Sequence, residues 1–440
     1  MTVETELVSL LSVLRPDVLR LDRISSLIQD TRVNIDLFIS QVIWHKVKPQ
    51  VLFNLAHIYK NIRDKSRFFQ KVEDYFLEYS PNAYDKNQIA KLFMENINNI
   101  QRYQKDMIFL KGSILQALYC QNTHAYRQMN DIDVLFPDFP AFCTFLNSLP
   151  FIGYEYPDKM QLNCRHVQPV KGKSQIPLSK VRLISAHCVP IGYPKNKSFR
   201  KIDFNFGDYL YIPTANILQD KRLLSFNRVN FYATSVIDEI VILIAHAVDH
   251  VQTRWLWIND LYILCKYEDI NWNNLFDKLR QRGLLTIFGA WIDILSELYN
   301  ESKLIPPVYA EQLVSAFDPS RNLQKWVKKS IIDKPSAYVN YKIKSAVITN
   351  SSKYFLSAKI VIFVLFVSML KEYIPYSIIN FFKKITDPIK IFFHIPVALP
   401  RLYGFEQCLA EHYEGNSLFL EWDVFRGFKV SFQKFLLREE

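Results

Sequence analysis

Through the first hundred residues, apolar positions recur at three- and four-residue intervals. LVSLLSVL, IDLFISQVIW and VLFNLAHIY each carry the spacing that lays one apolar stripe along a helix. Pro16, Pro49 and Pro81 punctuate these stretches, as expected where helices begin or stop. The same period predicts a long helix from about Lys86 to Gln104, with Ile89, Leu92, Phe93 and Ile97 on one face.

From residue 107 the pattern shortens. Met107–Leu110 is a brief apolar run, followed by Lys111-Gly112-Ser113 and a helical stretch, ILQALYC. Asp131-Ile-Asp-Val-Leu-Phe136 alternates with the period of a strand, and Pro137 and Asp138 end it. AFCTFLNSL reads as the next helix, and strands are expected near 163–170, 180–189 and 200–206, with turns near Gly172 and Gly192. Beyond about 235 the helical period returns, with a stripe of Ile237, Ile240, Val241, Ile244, Val248 and Val251 and a second helix carrying Ile258, Leu261 and Cys265. Six prolines, at 306, 307, 375, 388, 396 and 400, separate apolar helices in the last part. The order of elements predicts an α+β protein with one small mixed β-sheet. The sheet core spans 105–234, between a helical N-terminal region (1–104) and a helical domain packing on the core (235–300). A helical C-terminal region (301–440) follows.

One apolar run raises a membrane question. IVIFVLFVSML, between Lys359 and Lys371, is uncharged but only eleven residues long, whereas a spanning helix needs about 20. Lys359, Lys371, Glu372 and Pro375 bound it, so a buried helix is expected, with peripheral membrane contact through 359–382 as the alternative.

Composition narrows the classes. At 49% hydrophobic and 15% aromatic, the 440 residues carry enough apolar surface for packed cores, which excludes global disorder. Ten glycines, none before Gly112, exclude collagen, Gly-rich repeats and flexible linkers. A net charge of +11, spread along the chain, favours anionic partners such as nucleotides, RNA or a membrane surface. The cysteines at 120, 143, 164, 188, 265 and 408 include no CxxC pair, and MTVETELVSL has no basic residue before its apolar run. Free thiols and a cytoplasmic location follow as expectations.

The chemistry concentrates in three carboxylates. Residues two apart in a strand share a face, so Asp131 and Asp133 stand side by side while Ile132 and Val134 point away. Adjacent carboxylates repel, and a divalent cation removes that penalty; Mg²⁺ favours carboxylates together with phosphate oxygens. In Lys201-Ile-Asp-Phe-Asn-Phe206, alternation places Asp203 in a second polar row. Three carboxylates from two strands can hold two metals in the arrangement used for in-line phosphoryl displacement. Gly112 allows close backbone approach to a phosphate, and Ser113 with the following helix N-terminus supplies donors. Lys111 and Arg127 flank these residues as candidate counter-charges for a triphosphate.

The words Ile108-Phe-Leu-Lys-Gly-Ser113, Asp131-Ile-Asp-Val-Leu135 after Arg127, and Lys201-Ile-Asp-Phe204 resemble the signature of the polymerase-β-like nucleotidyltransferase superfamily. Within it the chain is similar to the branch of uncharacterised, minimal-type nucleotidyltransferases. His246, His250, Trp255, Trp257 and Asp260 resemble that branch's helical section, and the likeness covers roughly residues 40 to 300. The resemblance implies a nucleotidyltransferase core and transfer of an NMP group from an NTP to a hydroxyl-type acceptor, with release of pyrophosphate. It implies Asp131, Asp133 and Asp203 as catalytic metal ligands for two Mg²⁺ ions, with Mn²⁺ able to substitute. Lys111, Gly112, Ser113 and Arg127 would bind the nucleotide. Two features depart from the pattern: seventeen residues separate Ser113 from Asp131, and Asn205-Phe206 stands where the branch often has His-Trp.

Other constellations have plainer readings beside them. His246 and His250 share a helix face with Glu239, a possible metal set, though hydrogen bonding or substrate contact is the expected role. Arg254, Trp255 and Trp257 could stack on a base, with core packing the expected role. The 24 tyrosines and 33 phenylalanines accompany no recognisable RNA module. The acceptor stays open between a small molecule, an RNA end and a protein side chain, and the donor between ATP, GTP, CTP and UTP. A catalytically inactive protein of the same fold, serving as a binding or regulatory partner, is the competing reading.

Overall fold

The computed structural model describes residues 2–30, 33–59, 107–129, 131–137, 201–206, 214–250, 253–301 and 304–316. It adds short strands at 159–160, 162–164, 175–177, 186–188 and 419–421, and isolated residues between 68 and 101 and at 330. The chain divides into two units interleaved along the sequence. One comprises Met1–Lys91, Ile114–Met129 and Val236–Glu372; the other comprises Leu92–Ser113, Asn130–Ser235 and Tyr373–Glu440.

The second unit is built on a mixed sheet. Its strands are β1 (Ile108–Leu110), β2 (Asp131–Leu135), β4 (Leu162–Cys164), β6 (Ala186–Cys188), β7 (Lys201–Phe206), β8 (Arg222–Phe226) and β9 (Val229–Ala233). They lie in the order β4-β6-β7-β2-β1-β9-β8. β1 runs antiparallel to β2 and parallel to β9, while β2 runs parallel to β7. β1 is an inner strand, and Ile108, Phe109 and Leu110 are all buried, which is why it reads as a continuous apolar run rather than an alternating one. Phe109 packs edge-on against Phe231 of β9, ring centroids 5.5 Å apart. The fold class is α+β, as the order of elements predicts.

Of the stretches expected as strands at 163–170 and 180–189, the described residues lie in β4 and β6, and the rest fall outside the described residues. Two further strands, β3 (Lys159–Met160) and β5 (Gln175–Pro177), flank β10 (Phe419–Glu421) in a separate three-stranded sheet. Pairing between segments more than 240 residues apart in sequence leaves no local pattern to read. The sequence pattern does not predict the β8–β9 hairpin either. Its turn, Asn227-Arg228, has positive φ at both positions (45° and 68°), as a two-residue hairpin turn of the favoured hand requires. The usual second residue there is glycine, so Arg228 conceals the hairpin. The helix predicted over 86–104 lies largely outside the described residues, as do AFCTFLNSL, the turns near Gly172 and Gly192, and the 359–382 segment.

The first unit is helical. It contains α1 (Val3–Leu11), α2 (Leu21–Gln29), α3 (Ile35–Trp44), α4 (Lys48–Tyr59) and most of α5 (Gly112–Asn122), whose first two residues belong to the sheet unit. After the sheet unit's short α6 (Thr214–Gln219) follow α7 (Val236–His250), α8 (Trp255–Tyr267), α9 (Trp272–Gln281), α10 (Leu285–Tyr299) and α11 (Pro307–Ala316). α7 buries more than the predicted stripe: Ile242 and Leu243 are covered along with Ile240, Val241 and Ile244, because α8 and α9 both pack on it. Asp238, on the same helix, is buried with its carboxylate accepting from Lys278 at 2.9 Å. The carbonyls at the end of α1, which have no partner within the helix, are taken up by side chains. Asn54 Nδ2 donates to Leu11 and Val13 carbonyls (2.9 and 2.8 Å), and Asn259 Nδ2 donates to Ser12 (2.7 Å). Tyr299 Oη donates to Asn259 Oδ1 (2.9 Å) and accepts from the Leu14 amide (3.0 Å). Among the described residues no helix is long and apolar enough to cross a membrane.

His45 follows α3 and is fully buried, its Nδ1 accepting from the Trp255 amide at 3.2 Å and thereby satisfying a free N–H at the start of α8. Burial, reinforced by the positive charge of Arg254, pushes its pKa down to about 3. The folded protein thus keeps His45 neutral, while the unfolded chain protonates it near the ordinary value of 6.5. Its contribution is complete above pH 6.5 and is lost progressively as pH falls from 6.5 toward 3. The wild type should therefore lose about 2 kcal/mol more stability than His45→Asn between pH 7 and pH 5, measured by urea denaturation at each pH.

Candidate active site

The polar positions of β2 and β7 meet through strand register. The parallel pairing sets Asp131 opposite Lys201, Asp133 opposite Asp203 and Leu135 opposite Asn205. Paired residues in neighbouring strands face the same side, and residues two apart in one strand do likewise. The backbone therefore puts positions 131, 133 and 203 on one face of the sheet, on strands about 4.8 Å apart. On the opposite face Ile132 and Val134 are fully buried, and this burial holds the register, since a one-residue slip would turn them outward.

β1 supplies the next component. Leu110 pairs with Asp133 across the antiparallel ladder, and the chain leaves the strand at Lys111. Lys111 has φ 44°, a left-handed conformation costing a residue with a Cβ about 1–2 kcal/mol. From this turn its Nζ donates to Asp133 Oδ1 at 3.2 Å. The two side chains are 11% and 10% exposed, so their charges meet where water screens them weakly. Removing either partner would strand the other charge in that setting.

Gly112 and Ser113 open α5. The amides of a helix's first turn lack helical acceptors, and the aligned peptide dipoles favour negative charge there. Ser113 is fully buried, and its Oγ has no hydrogen-bond partner among the described residues. A buried hydroxyl left unpaired costs about 1–3 kcal/mol. Lys111, Gly112, Ser113, Asp131, Asp133 and Asp203 all belong to the sheet unit.

Arg127 belongs to the helical unit and is engaged there. Its Nε and Nη2 donate to Asp260 Oδ1 and Oδ2 at 2.8 and 2.7 Å, a bidentate pair with both side chains buried. Burial pushes the Asp260 carboxyl up, and the Arg127 guanidinium draws it back part of the way. Tyr119, beside the pair, has its hydroxyl pushed well up by burial. The sequence singles out Arg127 and Asp260 separately; their partnership spans 133 residues and has no local signal.

The remaining candidates fall in the helical unit. Trp255 and Trp257 are buried, with His246 edge-on to Trp257 (5.3 Å) and the Arg254 guanidinium over the same ring (5.3 Å). The indoles therefore pack in the core rather than facing a base. Glu239 is fully buried, and His250 ends α7 with its side chain outside the described set. Among the described residues no three His, Cys, Asp or Glu gather to hold a metal ion. Cys265 is a free thiol that burial pushes up to about 12, which leaves it unreactive at neutral pH.

Replacing Asp260 by Asn would leave the Arg127 guanidinium buried without its counter-charge. The expected cost is about 3–5 kcal/mol of unfolding free energy by urea denaturation. A loss below about 1 kcal/mol, the range of an exposed surface pair, would mean that the pair contributes little to stability.

Comparison with known proteins adds one match. A family model described as an uncharacterised nucleotidyltransferase matches residues 31–300, more than half of the chain. No curated protein and no solved structure matches it significantly. The matched span contains every carboxylate of the sheet face together with Lys111, Gly112, Ser113, Arg127 and Asp260, and the chain belongs to this family of uncharacterised nucleotidyltransferases.

Proposed function

We propose that the protein is an Mg²⁺-dependent enzyme that transfers an NMP group from an NTP to a hydroxyl-type acceptor, releasing pyrophosphate. The observation that carries this reading is the β2–β7 register, which brings positions 131, 133 and 203 to one sheet face beside the start of α5. The donor set suits a hard cation, being carboxylate oxygen throughout, and Asp133 already meets a positive charge in Lys111. Asp131, Asp133 and Asp203 would hold the metal. When bound, Mg²⁺ supplies Lewis-acid stabilisation of charge on the phosphates and lowers the pKa of the attacking hydroxyl.

The chain's own residues do the rest. The first-turn amides of α5 and the Ser113 hydroxyl receive phosphate oxygens, and this relieves the unpaired state of that buried group. Gly112, with no Cβ, lets the triphosphate approach the backbone. Lys111 offsets the charge of the phosphates. Asp203 takes the proton of the acceptor hydroxyl as its oxygen attacks the α-phosphorus. The bond from the α-phosphorus to the bridging oxygen breaks, and pyrophosphate leaves with that electron pair. Arg127 is a structural residue in this scheme, because its guanidinium is committed to Asp260. The +11 charge favours an RNA end or another acidic acceptor over a neutral one.

The double variant Asp131→Asn/Asp133→Asn should retain its fold and lose transfer by about a thousandfold or more, since metal stabilisation is worth several kcal/mol. Thermal melting with each of the four NTPs, with and without Mg²⁺, checks the binding half. One nucleotide should raise the melting temperature only with Mg²⁺, and the double variant should lose that shift. No shift with any NTP would return the protein to the non-catalytic reading.

A further inference from the structure

We propose that Lys111 competes with the divalent metal for Asp133, so that the site takes up metal and nucleotide together rather than metal first. The inference rests on the reading above and concerns what happens before chemistry. Lys111 Nζ lies 3.2 Å from Asp133 Oδ1, with both side chains about nine-tenths covered. An ammonium there neutralises part of the negative charge that positions 131, 133 and 203 concentrate on one face. A metal ion binding to Asp133 needs the same oxygen, and the two positive charges would repel at close range.

The backbone supports a built role. Lys111 holds a left-handed φ of 44°, which glycine would occupy without strain. Gly112 is its neighbour, so the strained conformation falls on the residue that carries the cation. Strain of this kind persists where surrounding structure enforces it, and it clusters at binding sites. Here the turn keeps the ammonium over Asp133 and one residue from the helix start where the phosphates would bind.

A triphosphate at the start of α5 offers the ammonium an anion in exchange for Asp133. Nucleotide would thus draw Lys111 off the carboxylate and open it to the metal, while metal would free Lys111 for the nucleotide. Such coupling is reciprocal: each ligand tightens the other by the same factor. Free metal alone meets an occupied carboxylate and binds weakly.

Mn²⁺ binding to the full-length protein, read by electron paramagnetic resonance without nucleotide and with non-hydrolysable analogues of each NTP, tests the inference. Wild type should bind Mn²⁺ weakly alone and about tenfold or more tightly with its analogue. Lys111→Gln should bind Mn²⁺ about tenfold more tightly than wild type without nucleotide, because a repelling unit charge in a weakly screened site is gone. Its gain on adding the analogue should shrink. Lys111→Arg keeps the charge and should behave like wild type. Lys111→Gly relieves the backbone strain while removing the charge, and it substitutes for the Gln variant if that one fails to fold.

Unchanged or weaker Mn²⁺ binding in the folded Gln or Gly variant would overturn the inference. The metal-site reading would survive that result, provided that wild-type binding is lost in Asp131→Asn/Asp133→Asn. Absence of Mn²⁺ binding in wild type and variants alike, with every analogue, would overturn both.

Discussion

The candidate site hangs on one constraint, the parallel register between β2 and β7. A pairing that sets Asp133 against Asp203 puts negative charges from two strands on one face, an arrangement the chain would not reach for stability alone. What enforces it is the other face. Ile132 and Val134 are fully buried there, and β1 closes the opposite edge of β2 with three buried apolar residues. The apolar set thus selects the register, and the carboxylates come with it. A slip of one residue would expose the hydrophobic residues and separate the charged ones at a stroke.

Among the described residues, three buried ion pairs stand out. Lys111 meets Asp133, Arg127 meets Asp260 and Lys278 meets Asp238, each pair with at least one partner almost wholly covered. The pairs differ in kind. Arg127 and Asp260 share two aligned hydrogen bonds, the geometry in which guanidinium and carboxylate bind most strongly, and this pair is suited to holding a fold. Lys111 meets Asp133 through a longer bond from a point-like ammonium on a flexible stem, a pair more easily exchanged for another. On the proposed reading, in which Asp133 binds metal, the second kind suits that carboxylate better.

The helical unit shows how polar side chains substitute for missing backbone partners. Asn54, Asn259 and Tyr299 meet the free carbonyls and amide where α1 ends, and His45 meets an amide where α8 begins. Tyr262 stacks on Tyr299 with centroids 3.7 Å apart, which fixes the ring whose hydroxyl links Leu14 to Asn259. These groups are buried and uncharged, so they hold the helix ends without the desolvation cost of ions.

Local periodicity reports which residues can share a face, and that was enough to identify much of this protein. The helices α1, α3, α4 and α7 follow from apolar spacing, and β2 and β7 from alternation. The grouping of Asp131, Asp133 and Asp203 with Lys111, Gly112 and Ser113 was also legible, because each lies in a short word whose period sets its face. Four features were decided by tertiary structure. The Asn227-Arg228 hairpin lacks the glycine that would announce it; β10 pairs with strands far away in sequence. Arg127 reads like a phosphate ligand until Asp260 is seen opposite it. Lys111 reads the same way, and only the structure shows its ammonium on Asp133. A side chain's charge is written in the sequence, but its partner is chosen by long-range packing, because an ion pair requires only that two distant segments be brought within about 3 Å.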